Sequence, residues 1–95
     1  MVLKLRLDTQ AWDDFSAIRS HLVAELGAAV ANRISDNLRR RMHALRNNPG
    51  LGIRTNDEDI WILPPKRYPY RIYYTATPEA VVILHIRHIN RGDIE

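Results

Sequence analysis

Arg71, Tyr73, His85 and Arg87 are the side chains whose types and spacing suit chemistry on an anion. They fall in two runs rich in β-branched and aromatic residues, Tyr68 to Thr75 and Ala80 to Ile89, separated by Ala76-Thr77-Pro78-Glu79. Runs of this kind, joined by a short turn, predict antiparallel strands in which alternate side chains share a face. In the last run Val82, Leu84 and Ile86 form an all-apolar set, so the alternation predicts them as the core face, with Ile72 on the side of Leu84. Burying Arg87 there would be costly unless it were paired. That register gathers Arg71 and Tyr73 beside His85 and Arg87 on the opposite face. Guanidinium groups hold phosphates or carboxylates, and a phenol ring offers a stacking surface. The plain alternative is a solvated sheet face, for which arginine and tyrosine are ordinary residues. Two arginines set close together with no acid at hand repel each other, which favours a face built to receive an anion.

The charge balance points the same way. The chain carries a net charge of +3, and between Ile60 and Gly92 the bases Lys66, Arg67, Arg71, Arg87 and Arg91 meet the single acid Glu79. A basic C-terminal half suits nucleic acid or an acidic protein segment. Lys66, Arg67, Arg87, His88 and Tyr73 are the expected partner-binding residues, with Trp61 beside them. Trp12 and Phe15 are assigned to the core, and Arg39-Arg40-Arg41 to the solvated face of a helix. No metal site or cofactor is expected. His21 and His43 lack a carboxylate at ligand spacing, and His85 and His88, three apart in a strand, cannot converge on one ion. Without cysteine there is no disulfide, thiolate site or thiol nucleophile, and a cytoplasmic location is the plain inference.

Other elements must position these residues. Leu3, Leu5 and Leu7 alternate with Lys4 and Arg6, a strand with one wet face. Asp8 or Thr9 can cap a helix whose stripe is Trp12, Phe15, Ile18, Leu22 and Leu26, with Asp13 and Asp14 placed in its first turn. Gly27 ends it. A second stripe of Val30, Ile34, Leu38, Met42 and Leu45 runs to Asn47-Asn48-Pro49-Gly50, where proline stops the helix. So short a connection predicts an antiparallel helical hairpin, too tight and too apolar for a helix-turn-helix DNA reader. After a loop from Leu51 to Asp59, with weak strand character at Ile53, come strands at Ile60 to Leu63 and in the two runs above. The expected fold is α+β, in the order β-α-α-β-β-β, a small antiparallel-rich sheet with the helical hairpin on one face. Residues 1–95 are read as one domain. The longest apolar run, Ala80 to Leu84, is far short of the roughly 20 residues needed to cross a bilayer, so no membrane partner is expected. The N-terminus lacks the continuous apolar stretch of a signal peptide.

Tyr70-Arg71-Ile72-Tyr73-Tyr74, a turn, Val81-Val82-Ile83-Leu84-His85-Ile86-Arg87-His88 and then Arg91 resemble the closing signature of RelE/ParE toxins. The two striped helices ending in Asn48-Pro49-Gly50 look like the family's N-terminal half, so the resemblance spans nearly the whole chain. It implies a toxin of a type II toxin–antitoxin system, associated with plasmid stabilisation and held inactive by a cognate antitoxin. The target would be the ribosome with its mRNA in RelE-like members and DNA gyrase in ParE-like ones. Arg71 and Arg91 stand where RelE-like nucleases have arginines. Their lysines, however, would fall at Ile62 and Pro64, and the tyrosine expected several residues after Arg91 is absent. The resemblance therefore tips towards a gyrase inhibitor, with a ribosome-dependent endoribonuclease as the alternative.

Such a nuclease would need a base near the 2′-hydroxyl, an acid at the leaving oxygen and cations for the phosphorane. His85 or His88 could move the proton, Arg71 and Arg91 could hold the charge, and Tyr73 could stack. Only His85 shares the Arg71 face in regular geometry, unless a bulge re-aims His88. A non-toxic binding module, or a degenerate toxin that only binds its antitoxin, completes the set of readings.

Overall fold

Leucine at alternate positions makes the first strand one-sided. In β1 (Lys4–Leu7) Leu5 and Leu7 are half-buried while Lys4 and Arg6 are exposed. The computed structural model describes residues 2–89. Asp8, in an extended conformation, follows the strand, and its Oδ1 accepts the Thr9 amide at 3.0 Å at the start of α1 (Thr9–Leu26). Gly27 alone joins α1 to α2 (Ala28–Ala44). Its φ of +90° is a region that disfavours side chains. The Gly27 amide closes α1 on Val23 O at 3.0 Å, and its carbonyl opens α2 by accepting from Ala31 N at 3.1 Å. One residue thus terminates one helix and starts the next, which folds them into a hairpin.

The second stripe is buried as its spacing predicts: Ile34, Leu38, Met42 and Leu45 all lie in the core, with Val30 at its margin. The first stripe is buried only in part. Ala11, Phe15 and Leu22 enter the core, but Trp12 is 58% and Leu26 56% exposed, against expectation. Trp12 borders an apolar hollow with Leu5, Leu7, Phe15 and Met42 on the β1 side of the hairpin, and Leu26 stands at the hairpin tip. Asp13 and Asp14 also depart from expectation. Because α1 begins at Thr9, they belong to its second turn, beyond reach of the free amides at its start.

The sheet is mixed and has the order β1-β5-β4-β3-β2, with β2 at Ile53–Arg54, β3 at Trp61–Leu63, β4 at Tyr70–Ala76 and β5 at Ala80–His88. β3, β4 and β5 form the expected antiparallel meander, and β1 returns to pair parallel with β5, from Lys4↔Ala80 to Leu7↔Ile83. The fold is α+β. Both helices contribute to a single core with Tyr70, Ile72, Tyr74, Val81, Ile83 and Ile86, and so cover one face of the sheet.

The register of β5 corrects the alternation read from sequence. Tyr74 pairs with Ile83, but Tyr73 pairs with His85, so Leu84 is an extra residue, a β-bulge. Before it the odd-numbered Val81 and Ile83 point to the core; after it Ile86 does. Val82 and Leu84 are only half-buried. Ile72 faces Ile86, not Leu84.

The ends of the hairpin are tied to the sheet by polar groups. Arg46, just past α2, donates from Nε to Leu3 O at 2.9 Å, and its carbonyl accepts from Leu3 N at 3.0 Å. Tyr74 is fully buried, and its hydroxyl donates to Pro49 O at 2.7 Å and accepts from Gly52 N at 2.9 Å.

Candidate functional site

Strand alternation in β4 places Arg71 and Tyr73 on the sheet face away from the helices, because Tyr70, Ile72 and Tyr74 are committed to the core. The Leu84 bulge brings His85 and Arg87 to the same face. The pairs are Arg71↔Arg87 and Tyr73↔His85, so four side chains from two strands form one patch. Arg71 Nη1 donates to Tyr73 Oη at 3.2 Å, and the Tyr73 and His85 rings meet edge to face with centroids 6.1 Å apart. The Nε of Arg87 is buried and finds no hydrogen-bond acceptor among the described residues. Opposed guanidinium groups repel, and the geometry keeps them together.

An acid does reach this patch, from a helix. Asp14 Oδ2 accepts the Ile86 amide at 3.0 Å, where β5 has run past the end of β1 and its edge would otherwise stand open. The same oxygen is 3.7 Å from His85 Nδ1. That separation is too long for a hydrogen bond. Gln10 Nε2 donates to the other oxygen at 2.9 Å. Asp14 thus closes the sheet edge beside His85.

On the β3 side, Ile62 pairs with Tyr73 and puts an aliphatic side chain next to the patch. The other expected residues lie elsewhere. Trp61 pairs with Tyr74, stacks on its ring with centroids 6.2 Å apart, and carries the Arg54 guanidinium 5.2 Å above its own ring. It therefore belongs to the helix-side face. His88 pairs with Tyr70 on that same side and meets its ring edge-on at 5.3 Å; the bulge precedes His85 and does not re-aim His88. Lys66 and Arg67 sit in the loop between β3 and β4. Arg91 lies outside the described residues.

Two contributors escaped the reading of the sequence, Asp14 and Arg41. Arg41, from the arginine run assigned to solvent, is half-buried and donates from Nη2 to Pro64 O at 2.6 Å. Desolvation lowers its pKa.

The patch can grip a phosphate or carboxylate between two guanidinium groups, stack a planar group on Tyr73 and move a proton at His85. Residues 5–91 match the family described as the ParE toxin of type II toxin–antitoxin systems, parDE. The chain belongs to the ParE toxin family. Solved structures agree on the fold. A chain of the chromosomal ParDE system from P. aeruginosa superposes with a TM-score of 0.81 at 19% identity, over 94% of this chain and 98% of that one. The toxin–antitoxin complex RelBE2 from Mycobacterium tuberculosis gives 0.66 at 21% identity, covering 93% and 92%. The isolated RelE toxin of E. coli gives 0.66 at 16%, covering 97% and 89%. No curated protein matches the chain in sequence. In this ParE-family toxin the four-residue patch stands on two inner strands of the sheet, β4 and β5, which pair over most of their length.

Proposed function

We propose that this ParE-family toxin acts in the cytoplasm, arrests growth by poisoning DNA gyrase without cutting RNA, and is neutralised by a cognate antitoxin. The observation that carries the gyrase reading is the register Ile62↔Tyr73. General acid–base cleavage of RNA needs two groups that exchange protons. Beside Tyr73, where a second such group would face the scissile phosphate, the β3 neighbour is aliphatic. The patch keeps what anion binding requires, two guanidinium groups and a ring, and has one imidazole. Arg71, Tyr73, His85 and Arg87 are the proposed contact residues.

The test is a supercoiling assay with purified toxin, gyrase and plasmid. Stabilised cleavage complexes, with full-length mRNA in a parallel translation extract, are the expected pair of results. Unimpaired supercoiling at excess toxin would count decisively against the reading.

One observation favours the ribosome-dependent endoribonuclease instead: Asp14 stands 3.7 Å from His85 Nδ1, a carboxylate–imidazole arrangement beside two cations. Under that reading mRNA cuts appear in the extract and vanish with Arg71→Ala.

A further inference from the structure

We propose that a cleft between the C-terminal half of α2 and the loop leaving β3 is a second binding site, which takes an acidic peptide segment with apolar side chains between its carboxylates. That the segment comes from the neutralising partner rests on the toxin reading above; the chemistry of the cleft does not.

The cleft exists because of two prolines. β3 ends at Leu63, and Pro64-Pro65 cannot supply ladder amides, so the chain leaves the sheet there. Arg41 reaches across from α2 and fixes the departing chain through Pro64 O. Between them a hollow of about 780 Å³ remains. Its apolar lining comes from Ala44, Leu51, Leu63 and the two prolines, and its cations are Arg41, Lys66 and Arg67. Leu63 points to the helix-covered side of the sheet, so the cleft is separate from the Arg71–Arg87 patch.

Charge decides the kind of occupant. No lining residue is acidic, and no ion pair to Arg41, Lys66 or Arg67 occurs among the described residues. Three cations around an apolar hollow repel one another, and the half-buried Arg41 lacks the full hydration that would offset this. A carboxylate entering the hollow would relieve both costs. Arg67 is already held in place, its guanidinium 5.5 Å over the Tyr68 ring and its Nε 3.2 Å from the Tyr68 hydroxyl. The lining also argues against nucleic acid. A single strand binds through phosphate contacts along its length and bases stacked on aromatic rings, and no aromatic residue lines this cleft. Aliphatic surface interleaved with cations matches a peptide that alternates acidic and aliphatic residues.

The experiment measures fluorescence anisotropy of three labelled probes on the purified full chain: a peptide alternating glutamate and leucine, its glutamine-for-glutamate analogue, and a single-stranded RNA. Each is repeated with Lys66→Glu/Arg67→Glu and with Arg33→Glu/Arg40→Glu, which alters net charge equally at exposed positions of α2. The glutamate peptide should bind wild type and the α2 variant alike, and lose about tenfold or more in affinity, some 1.4 kcal/mol, on the Lys66/Arg67 variant. The glutamine analogue should bind as weakly as the glutamate peptide does to that variant. Equal weakening by both double variants, indifference to glutamine, or RNA binding that alone depends on Lys66 and Arg67 would overturn the proposal. Induced expression of the wild-type chain reports separately on the toxin reading. Peptide binding without growth arrest removes that reading and leaves the cleft, whereas growth arrest with no effect of the Lys66/Arg67 variant removes the cleft alone.

Discussion

A single phenol holds the loop after α2 against the sheet. Tyr74 is fully buried, and its hydroxyl serves both the Pro49 carbonyl and the Gly52 amide. Tyr74→Phe keeps the ring and strands both backbone groups, so it should cost about 1–3 kcal/mol in urea denaturation. Burial pushes the Tyr74 phenol above its ordinary value, and the hydrogen bond from Gly52 works the other way. The sign follows: stability from this group is complete below tyrosine's usual value of about 10, and is lost as pH rises from there through the raised folded value. The Phe variant should therefore show a shallower alkaline decline, read by thermal melts at rising pH. Gly52→Ala tests the same contact from the other side. A Cβ there would meet Tyr74 Oη at 2.6 Å and Ile62 O at 2.7 Å. Because one neighbour is backbone, Tyr74→Phe should rescue Gly52→Ala only in part, as a double-mutant cycle will measure. These bonds could not be read from sequence, since they join residues more than 20 positions apart. Asp14 and Arg41 left a fainter trace. Asp14 is three after Ala11 and four before Ile18, and Arg41 is three after Leu38 and four before Leu45, so each is a charge at stripe spacing on a buried helix face. A charge in that position has a partner to satisfy, which placing Asp14 in a first turn and Arg41 on a solvated face leaves out.

At the scale of elements, helices and strands were legible wherever polar residues marked the period, and illegible where they did not. α2 was clear because arginines and asparagines punctuate its stripe. In β5 the run Ala80 to Leu84 is apolar throughout, so neither face is marked, and counting back from Ile86 chose Val82 and Leu84. The bulge at Leu84 reverses that choice for the first half of the strand and leaves the second half, with His85 and Arg87, as expected. The patch thus depends only on the part of the strand beyond the bulge, where the simple alternation holds. Substitution gives a direct check. Ile83 is fully buried and Leu84 is not, so Ile83→Ala should cost about 2–5 kcal/mol and Leu84→Ala clearly less, by the same denaturation measurement. Equal losses would mean that Leu84 shares the core. α1 shows the opposite failure: its stripe marks a helix correctly but overstates the core, because Trp12 stands at the edge of the sheet, over a hollow that it borders with β1 and α2.

For the molecule as a whole, the question is whether the sheet face away from the helices serves binding or is only a solvated surface. Arg87 separates the two. It stands directly across from Arg71, with its Nε buried and unsatisfied among the described residues, an arrangement that costs stability. A surface under no functional demand gains nothing from keeping it. Arg87→Gln retains the aliphatic stem and removes the charge, so the fold should become more stable by a few tenths to about 1 kcal/mol. If the patch grips an anionic target, the same variant should weaken growth arrest on induced expression, since one of the two guanidinium groups is gone. The two readouts must move in opposite directions: higher stability by urea denaturation, lower toxicity in culture. A variant that is more stable and fully toxic would make Arg87 a blemish of the fold and move the search for the contact surface to the cationic cleft beside α2. A variant that loses stability and toxicity together would show that Arg87 supports the sheet, and would remove the cost argued from its opposition to Arg71.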